Sequence, residues 1–172
     1  VGGDHVTNDI ALAFNIPIAR AESVKCREGC ALVAGDVGLK RLTLPQSVGF
    51  PERSISLKAL QVVIHARMEE TLRMVRAALN DAGVLTRLGA GVVLTGGGAA
   101  LPRLPELARQ VFGVPCVIGE PCNVAGLREV DQPGSFATAA GLVIYGCRTY
   151  RDSSLLQPLR EWWQGLIRKD RS

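Results

Sequence analysis

Three consecutive glycines, Gly96-Gly97-Gly98, directly behind the β-branched run Val92-Val93-Leu94-Thr95, constrain this chain more than any other feature. Ala99-Ala100-Leu101-Pro102 then leads into an amphipathic segment. Buried strand, glycine turn and helix start are the layout of a nucleotide site at the carboxyl end of a parallel sheet. Glycine suits such a turn because a side chain would hold the backbone away from a base or phosphate, and because glycine alone adopts positive φ at little cost. A tight strand-to-helix turn with no ligand has the same pattern, so the glycines alone leave both readings open.

The rest of the chain supplies the context. Val6, Ile10, Ala13 and Phe14 recur at helical spacing behind Val1-Gly2-Gly3-Asp4, and Asn15-Ile16-Pro17 breaks that helix. A second helix is predicted from about Ile18 to Glu28, with Glu22 and Lys25 one turn apart on the same face. Between Cys30 and Pro51, the runs Ala31–Ala34 and Leu39–Leu44 read as short strands, separated by glycine turns. Ser56 caps the longest predicted helix. Its apolar stripe is Leu57, Leu60, Ile64, Met68, Leu72, Val75 and Leu79, and Gly83 ends it. Lys58, Arg67, Arg73 and Arg76 lie off the stripe. Beyond the glycine turn, a helix over Leu104–Phe112, a strand over Val114–Gly119, a loop over 120–134 and a small-residue helix over Ser135–Gly146 follow.

Composition closes off several classes. With 172 residues, the chain is long enough for one domain with a real core. No apolar run approaches the ~20 residues of a membrane helix, and the opening shows no signal-peptide pattern. It begins with Val1 inside a motif-like segment, from which an N-terminal truncation is expected. Five cysteines in an α/β pattern suit reduced cytoplasmic thiols. Cys26 and Cys30, four apart on a predicted helix face, lack the further ligands that a metal site needs. The net charge of +4 is uneven: +3 falls from Cys147 onward. The body therefore offers no basic surface for nucleic acid.

The tail needs its own reading. Pro158 suits the first turn of a helix. Leu159, Trp162, Trp163, Leu166 and Ile167 then form one apolar face, with Arg160, Glu161, Gln164, Arg168 and Lys169 opposite. A short helix of this kind fits the membrane interface, where tryptophan sits; it also fits a terminal helix packed on its own domain.

Together these pieces resemble the C-terminal half of the FtsA cell-division family, within the actin-like ATPase superfamily. The matching stretches are Val1-Gly2-Gly3-Asp4-His5-Val6-Thr7-Asn8-Asp9-Ile10-Ala11, Ala21-Glu22-Ser23-Val24-Lys25, Val63-Ile64-His65-Ala66-Arg67, Val93-Leu94-Thr95-Gly96-Gly97-Gly98-Ala99, Val111-Phe112-Gly113-Val114-Pro115 and Phe136-Ala137-Thr138-Ala139-Ala140-Gly141-Leu142. They cover nearly the whole chain in the right order. The resemblance implies an α/β, actin-like (ribonuclease H-like) second lobe: a sheet with flanking helices, a smaller α+β subdomain and a C-terminal amphipathic helix. Residues 1–29 and 84–146 would form the large nucleotide-binding subdomain, 30–83 the smaller one, 147–157 a linker and 158–172 the membrane-targeting helix.

The resemblance also implies a site and partners. ATP with Mg²⁺ would lie near Gly2 and Gly3, with Glu22 and Lys25 bracketing ribose and base, and Gly96, Gly97 and Gly98 passing close to the adenosine. Without the family, Glu22 and Lys25 read first as an ordinary surface ion pair. The smaller subdomain would receive the acidic-apolar C-terminal peptide of FtsZ, with Arg67 named first and Arg73 and Lys58 after it. The tail would anchor a self-associated polymer to anionic lipid through Leu159, Trp162, Trp163, Leu166, Ile167, Arg168 and Lys169, on the cytoplasmic face of the bacterial inner membrane at the division site. With no nucleic-acid partner and no first lobe, the chain would bind ATP weakly and not hydrolyse it, since phosphoryl transfer needs both walls of the cleft. The alternatives are an actin-fold sugar kinase, for which no acid is placed like a catalytic base, and a pilus-assembly ATPase, for which a tryptophan tail is not expected.

Overall fold

The structure is a computed structural model that describes residues 2–35, 37–46, 51–122, 127 and 132–152. Helix α1 spans Gly3–Phe14 and α2 spans Ile18–Glu28. The break between them is closed by Asn15 in the left-handed region, with Ile16 N–H donating to Ala11 O at 3.0 Å. Asparagine tolerates that backbone, and the closure satisfies a helix-end carbonyl. It also turns Ile16 inward, where it is buried with Val6, Ile10, Ala21 and Val24.

Strands β1 (Arg41–Leu44) and β2 (Arg53–Ser56) form an antiparallel pair in which Leu42 faces Ile55. Leu42, Leu44 and Ile55 share one face and pack on the first core. Helix α3 runs for 25 residues, Leu57–Asp81, from the Ser56 cap, whose Oγ accepts from Ala59 N–H at 3.4 Å. Its first half places Leu60 and Ile64, both fully buried, against α1. Its second half places Leu72 in another core, with Leu104, Leu107, Ala108, Val111, Phe112 and Cys116. Met68 touches both cores. The predicted stripe thus serves two cores in succession, and Val75, predicted on it, is exposed beyond them.

Strand β3 (Val92–Leu94), helix α4 (Leu104–Phe112) and strand β4 (Cys116–Ile118) form a parallel βαβ unit, with Val92 opposite Cys116 and Leu94 opposite Ile118. Gly91 leads into β3 at φ +93°, where a Cβ would lie 2.4 Å from Pro115 O, so glycine is required there. Helix α5 (Ala137–Asp152) follows a 3₁₀ turn at Pro133–Phe136.

Several expectations are corrected. Ala31–Ala34 is not a strand. Its backbone is held instead by other partners: Ala31 N–H donates to Pro102 O at 2.9 Å, Ala34 N–H to the buried Gln61 Oε1 at 3.0 Å, and His65 Nδ1–H to Ala31 O at 2.8 Å. With these three groups satisfied by side chains and a loop carbonyl, the segment is held without a partner strand. The strand before the glycines is covered on one face only. Val92 and Leu94 pack toward α4, whereas Val93 is 63% exposed, because the sheet has two strands among the described residues. Helix α2 ends at Glu28, so Cys30 leaves the face that Cys26 occupies. Helix α5 continues past Gly146 to Asp152, six residues into the stretch expected to be a linker. The rest of that linker and the amphipathic helix expected over 158–172 lie outside the described residues.

Candidate nucleotide site

A cleft of about 720 Å³ opens where α1 begins, between α2, the glycine turn and the start of α5. Gly2, Gly3, Glu22, Lys25, Gly96, Gly97 and Gly98, the seven residues singled out from the sequence, all line it. Met68, Leu72, Leu101 and Leu104 add an apolar contribution to its walls. Large volume, an apolar lining and a few convergent polar groups are the usual features of a small-molecule site.

The two glycine segments approach each other directly. A Cβ on Gly98 would lie 3.9 Å from Gly3 N, and one on Gly97 would lie 3.6 Å from Ser135 Oγ. Gly96 makes the turn possible: its φ of +93° and ψ of 171° fall in a region that only glycine occupies readily. Helix α1 starts at Gly3 on the same wall, which brings the positive end of its dipole to the cleft.

Glu22 and Lys25 are brought together on one turn of α2. Lys25 Nζ donates to Glu22 Oε2 at 2.6 Å, to Thr7 Oγ1 at 2.9 Å and to Gly3 O at 3.2 Å. An ammonium carries three N–H groups, so Lys25 is fully engaged and is only 13% exposed. Glu22 stays 47% exposed. Its Oε2 also accepts from Thr7, and its Oε1 accepts from Cys26 Sγ at 3.3 Å. The Lys25 and Thr7 donors hold the Glu22 carboxyl below its ordinary range. Burial, then the Glu22 carboxylate, pushes the Cys26 thiol up. The result is an ionised, half-open carboxylate on the cleft wall, able to accept from hydroxyl groups of a ligand. The lysine is turned into the protein, with its ammonium beside the N-terminus of α1.

Sequence reasoning missed further residues of this site. Thr7 and Cys26 flank the Glu22–Lys25 pair, and Gln132, Ser135 and Thr138 supply polar groups around the cleft. Ser135 and Thr138 do carry a signal, since hydroxyls at i and i+3 share a helix face. Thr7 lies four residues after Gly3, beside Val6 on the buried side of α1, where a hydroxyl needs a partner.

The three basic residues named on α3 are not gathered in one place. At about 100° per residue, Lys58 and Arg67 point in nearly opposite directions. Lys58 is exposed. Arg73 pairs with Glu69 at 2.8 Å. Arg67 binds Asp9 of α1 through two nitrogens, with Nη2 donating to Oδ1 at 2.9 Å, and Nη1 donates to Glu70 at 2.6 Å. This guanidinium is the polar tie between α1 and α3, and it holds the Asp9 carboxyl below its usual range.

Comparison with known proteins places this geometry in a class. The backbone matches MreB5 of Spiroplasma citri, solved with ADP and with AMPPNP, at TM-scores of 0.63 and 0.64. Each match has 17% identity and covers 87% of this chain and 45% of the other. The fold is therefore actin-like.

Residues 1–141 match the family model described as cell division protein FtsA. The chain is 32% identical to cell division protein FtsA of Pseudomonas aeruginosa, covering 96% of this chain and 44% of the relative. It is 38% identical to the Escherichia coli K12 protein, covering 84% and 36%. The chain belongs to the FtsA family of cell-division proteins, and it spans less than half the length of these relatives.

Proposed function

We propose that this protein works in cell division as an ATP-dependent, actin-like polymer former that tethers the FtsZ ring to the cytoplasmic face of the inner membrane. The observation that carries the nucleotide part is the cleft itself: two facing glycine segments, so close that a Cβ on Gly98 would lie 3.9 Å from Gly3 N, beside an ionised carboxylate. ATP would lie against Gly2, Gly3, Gly96, Gly97 and Gly98, with Glu22 accepting from the ribose hydroxyls; Mg²⁺ would accompany the phosphates and spread their charge. Phosphoryl transfer relies on positioning and charge stabilisation from both sides of the transferring group. Because the chain spans less than half of its relatives, it should by itself bind ATP weakly and not turn it over.

The basic residues Lys58, Arg67 and Arg73 of α3 are the proposed receivers of the acidic-apolar FtsZ peptide. Lys58 is exposed, while Arg67 would have to share its guanidinium with Asp9. The tail face of Leu159, Trp162, Trp163, Leu166 and Ile167, with Arg168 and Lys169, is the proposed membrane contact. Burying a large apolar side chain contributes roughly 1.5–3 kcal/mol before ordering costs. Each basic residue beside anionic lipid adds roughly 1 kcal/mol. A single tail therefore binds weakly, and a row of tails on a polymer binds firmly.

Co-sedimentation with phosphatidylglycerol-containing vesicles tests the anchor. Residues 1–172 should pellet, whereas residues 1–154 and the Trp162→Glu/Trp163→Glu double variant should stay in solution. Pelleting of all three would put the membrane contact elsewhere, and pelleting of none, at lipid concentrations high enough to capture a weak binder, would remove the anchor from the account.

A further inference from the structure

Thr7 is the one polar side chain on the buried face of α1, at 3% exposure. Its hydroxyl has one proton and two acceptors within reach, Gly3 O at 3.1 Å and Glu22 Oε2. A threonine in a helix ordinarily gives its proton to the carbonyl four residues back, which here is Gly3. An ionised carboxylate is the stronger acceptor, so Glu22 wins the proton. The hydroxyl oxygen then accepts from Lys25 Nζ at 2.9 Å. Thr7 is thus wedged between a cation and an anion that come from another helix, and it bonds both.

We infer that Thr7 is a positioning residue: its buried hydroxyl, fixed on α1, sets the Glu22 carboxylate and the Lys25 ammonium of α2 at the cleft wall. A salt bridge between long side chains at i and i+3 has little fixed geometry of its own. A short, β-branched side chain on a neighbouring helix gives it one, because threonine has few rotamers and this one is packed. The inference rests on the nucleotide reading for its consequence. With Glu22 fixed, its half-exposed carboxylate meets the hydroxyls of a ribose without first being ordered, so a ribonucleotide is bound at lower entropic cost.

The tests use the chain 1–172 with Thr7→Val, which keeps the shape and removes the hydroxyl, and Thr7→Ser, which restores it. The readout is Cys26, whose thiol donates to the other oxygen of Glu22. Alkylation by iodoacetamide at about pH 8, near the ordinary thiol pKa, is followed at each cysteine by mass spectrometry, with the buried Cys116 reporting any general loosening. When Glu22 is released, Cys26 loses its anionic neighbour. Its rate should rise about threefold or more in Thr7→Val and return in Thr7→Ser, with Cys116 unchanged. A Cys26 rate at or below that of the unmodified chain, or a rise shared by Cys116, overturns the assignment.

A second arm adds ATP with Mg²⁺ and measures the concentration that half-protects Cys26. It should rise about tenfold in Thr7→Val and recover in Thr7→Ser. If ATP protects Cys26 equally in all three proteins, the cleft takes nucleotide but Thr7 does not position its wall. If the first arm succeeds and ATP protects none of them, Thr7 keeps its role and the ligand class is wrong.

Discussion

Gly96→Ala and Gly98→Ala, only two residues apart in sequence, should behave in opposite ways. Neither Cβ would clash: nothing lies within 4 Å of one on Gly96, and Gly98 meets only Gly3 N at 3.9 Å. The difference is in the backbone. Gly96 sits at φ +93° and ψ 171°, where a non-glycine residue costs about 1–3 kcal/mol. Replacing glycine also removes unfolded-chain entropy, which returns about 0.4–1 kcal/mol. Gly96→Ala should therefore lose about 1–2 kcal/mol net. Gly98 has no positive φ, so alanine there should leave stability unchanged or raise it by about 0.4–1 kcal/mol. In urea unfolding followed by far-UV circular dichroism, with a slope of about 2 kcal/mol per molar, the Gly96→Ala midpoint should fall by about 0.5–1 M. Gly98→Ala should unfold at or above the original midpoint and yet weaken ATP binding, since its methyl enters the gap between the two glycine segments. A Gly96→Ala midpoint equal to the original, or an equal loss in Gly98→Ala, would refute the division of labour between turn geometry and close approach.

Other expectations follow from the same structure. Ile64→Ala, fully buried between α1 and α3, should cost about 2–5 kcal/mol in urea unfolding, whereas Val75→Ala on the exposed end of α3 should shift stability by about 0.5 kcal/mol or less. Acid should weaken the fold. Asp9 and Glu22 have carboxyls lowered by Arg67 and by Lys25, so their contribution is present above the ordinary carboxylate range and lost as pH falls through their depressed folded values. Asp9→Asn should flatten part of that acid limb in a pH series of melting curves, and an unchanged limb would exclude the Asp9–Arg67 pair as a source. Arg67→Glu should weaken FtsZ-peptide binding measured by fluorescence anisotropy, whereas Asp9→Asn, which frees the guanidinium, should strengthen it or leave it unchanged; equal losses in both would make Arg67 a structural tie alone.

Legibility in the sequence followed the source of each constraint. The helices were readable because their stripes, caps and stops are local: Ser56 starts α3, and Asn15 and Gly83 sit where helices end. Of the seven cleft residues, Gly96, Gly97 and Gly98 were readable from the strand-turn-helix pattern, whereas Gly2, Gly3, Glu22 and Lys25 needed the family resemblance, since Glu22 and Lys25 alone are an ordinary i, i+3 pair. Ala31–Ala34 misled because its apolar run serves the second core, where Ala31 and Leu32 are buried, while its backbone bonds go to Gln61, His65 and Pro102, which no local pattern announces. Thr7 was invisible for the same reason. Its partners lie 15 and 18 residues away on another helix. Arg67 looked like a free basic residue because Asp9 is 58 positions distant in sequence.

The most direct test of the cleft is an NMR titration of the ¹⁵N-labelled chain with ATP and Mg²⁺, followed at the glycine amides. The account predicts fast-exchange shifts centred on Gly2, Gly3, Gly96, Gly97 and Gly98, with the Lys25 and Thr7 amides moving alongside, and an affinity of about 1 mM or weaker, roughly −4 kcal/mol. Shifts clustered away from these residues, or glycine amides that stay still at about ten times that concentration, would contradict it.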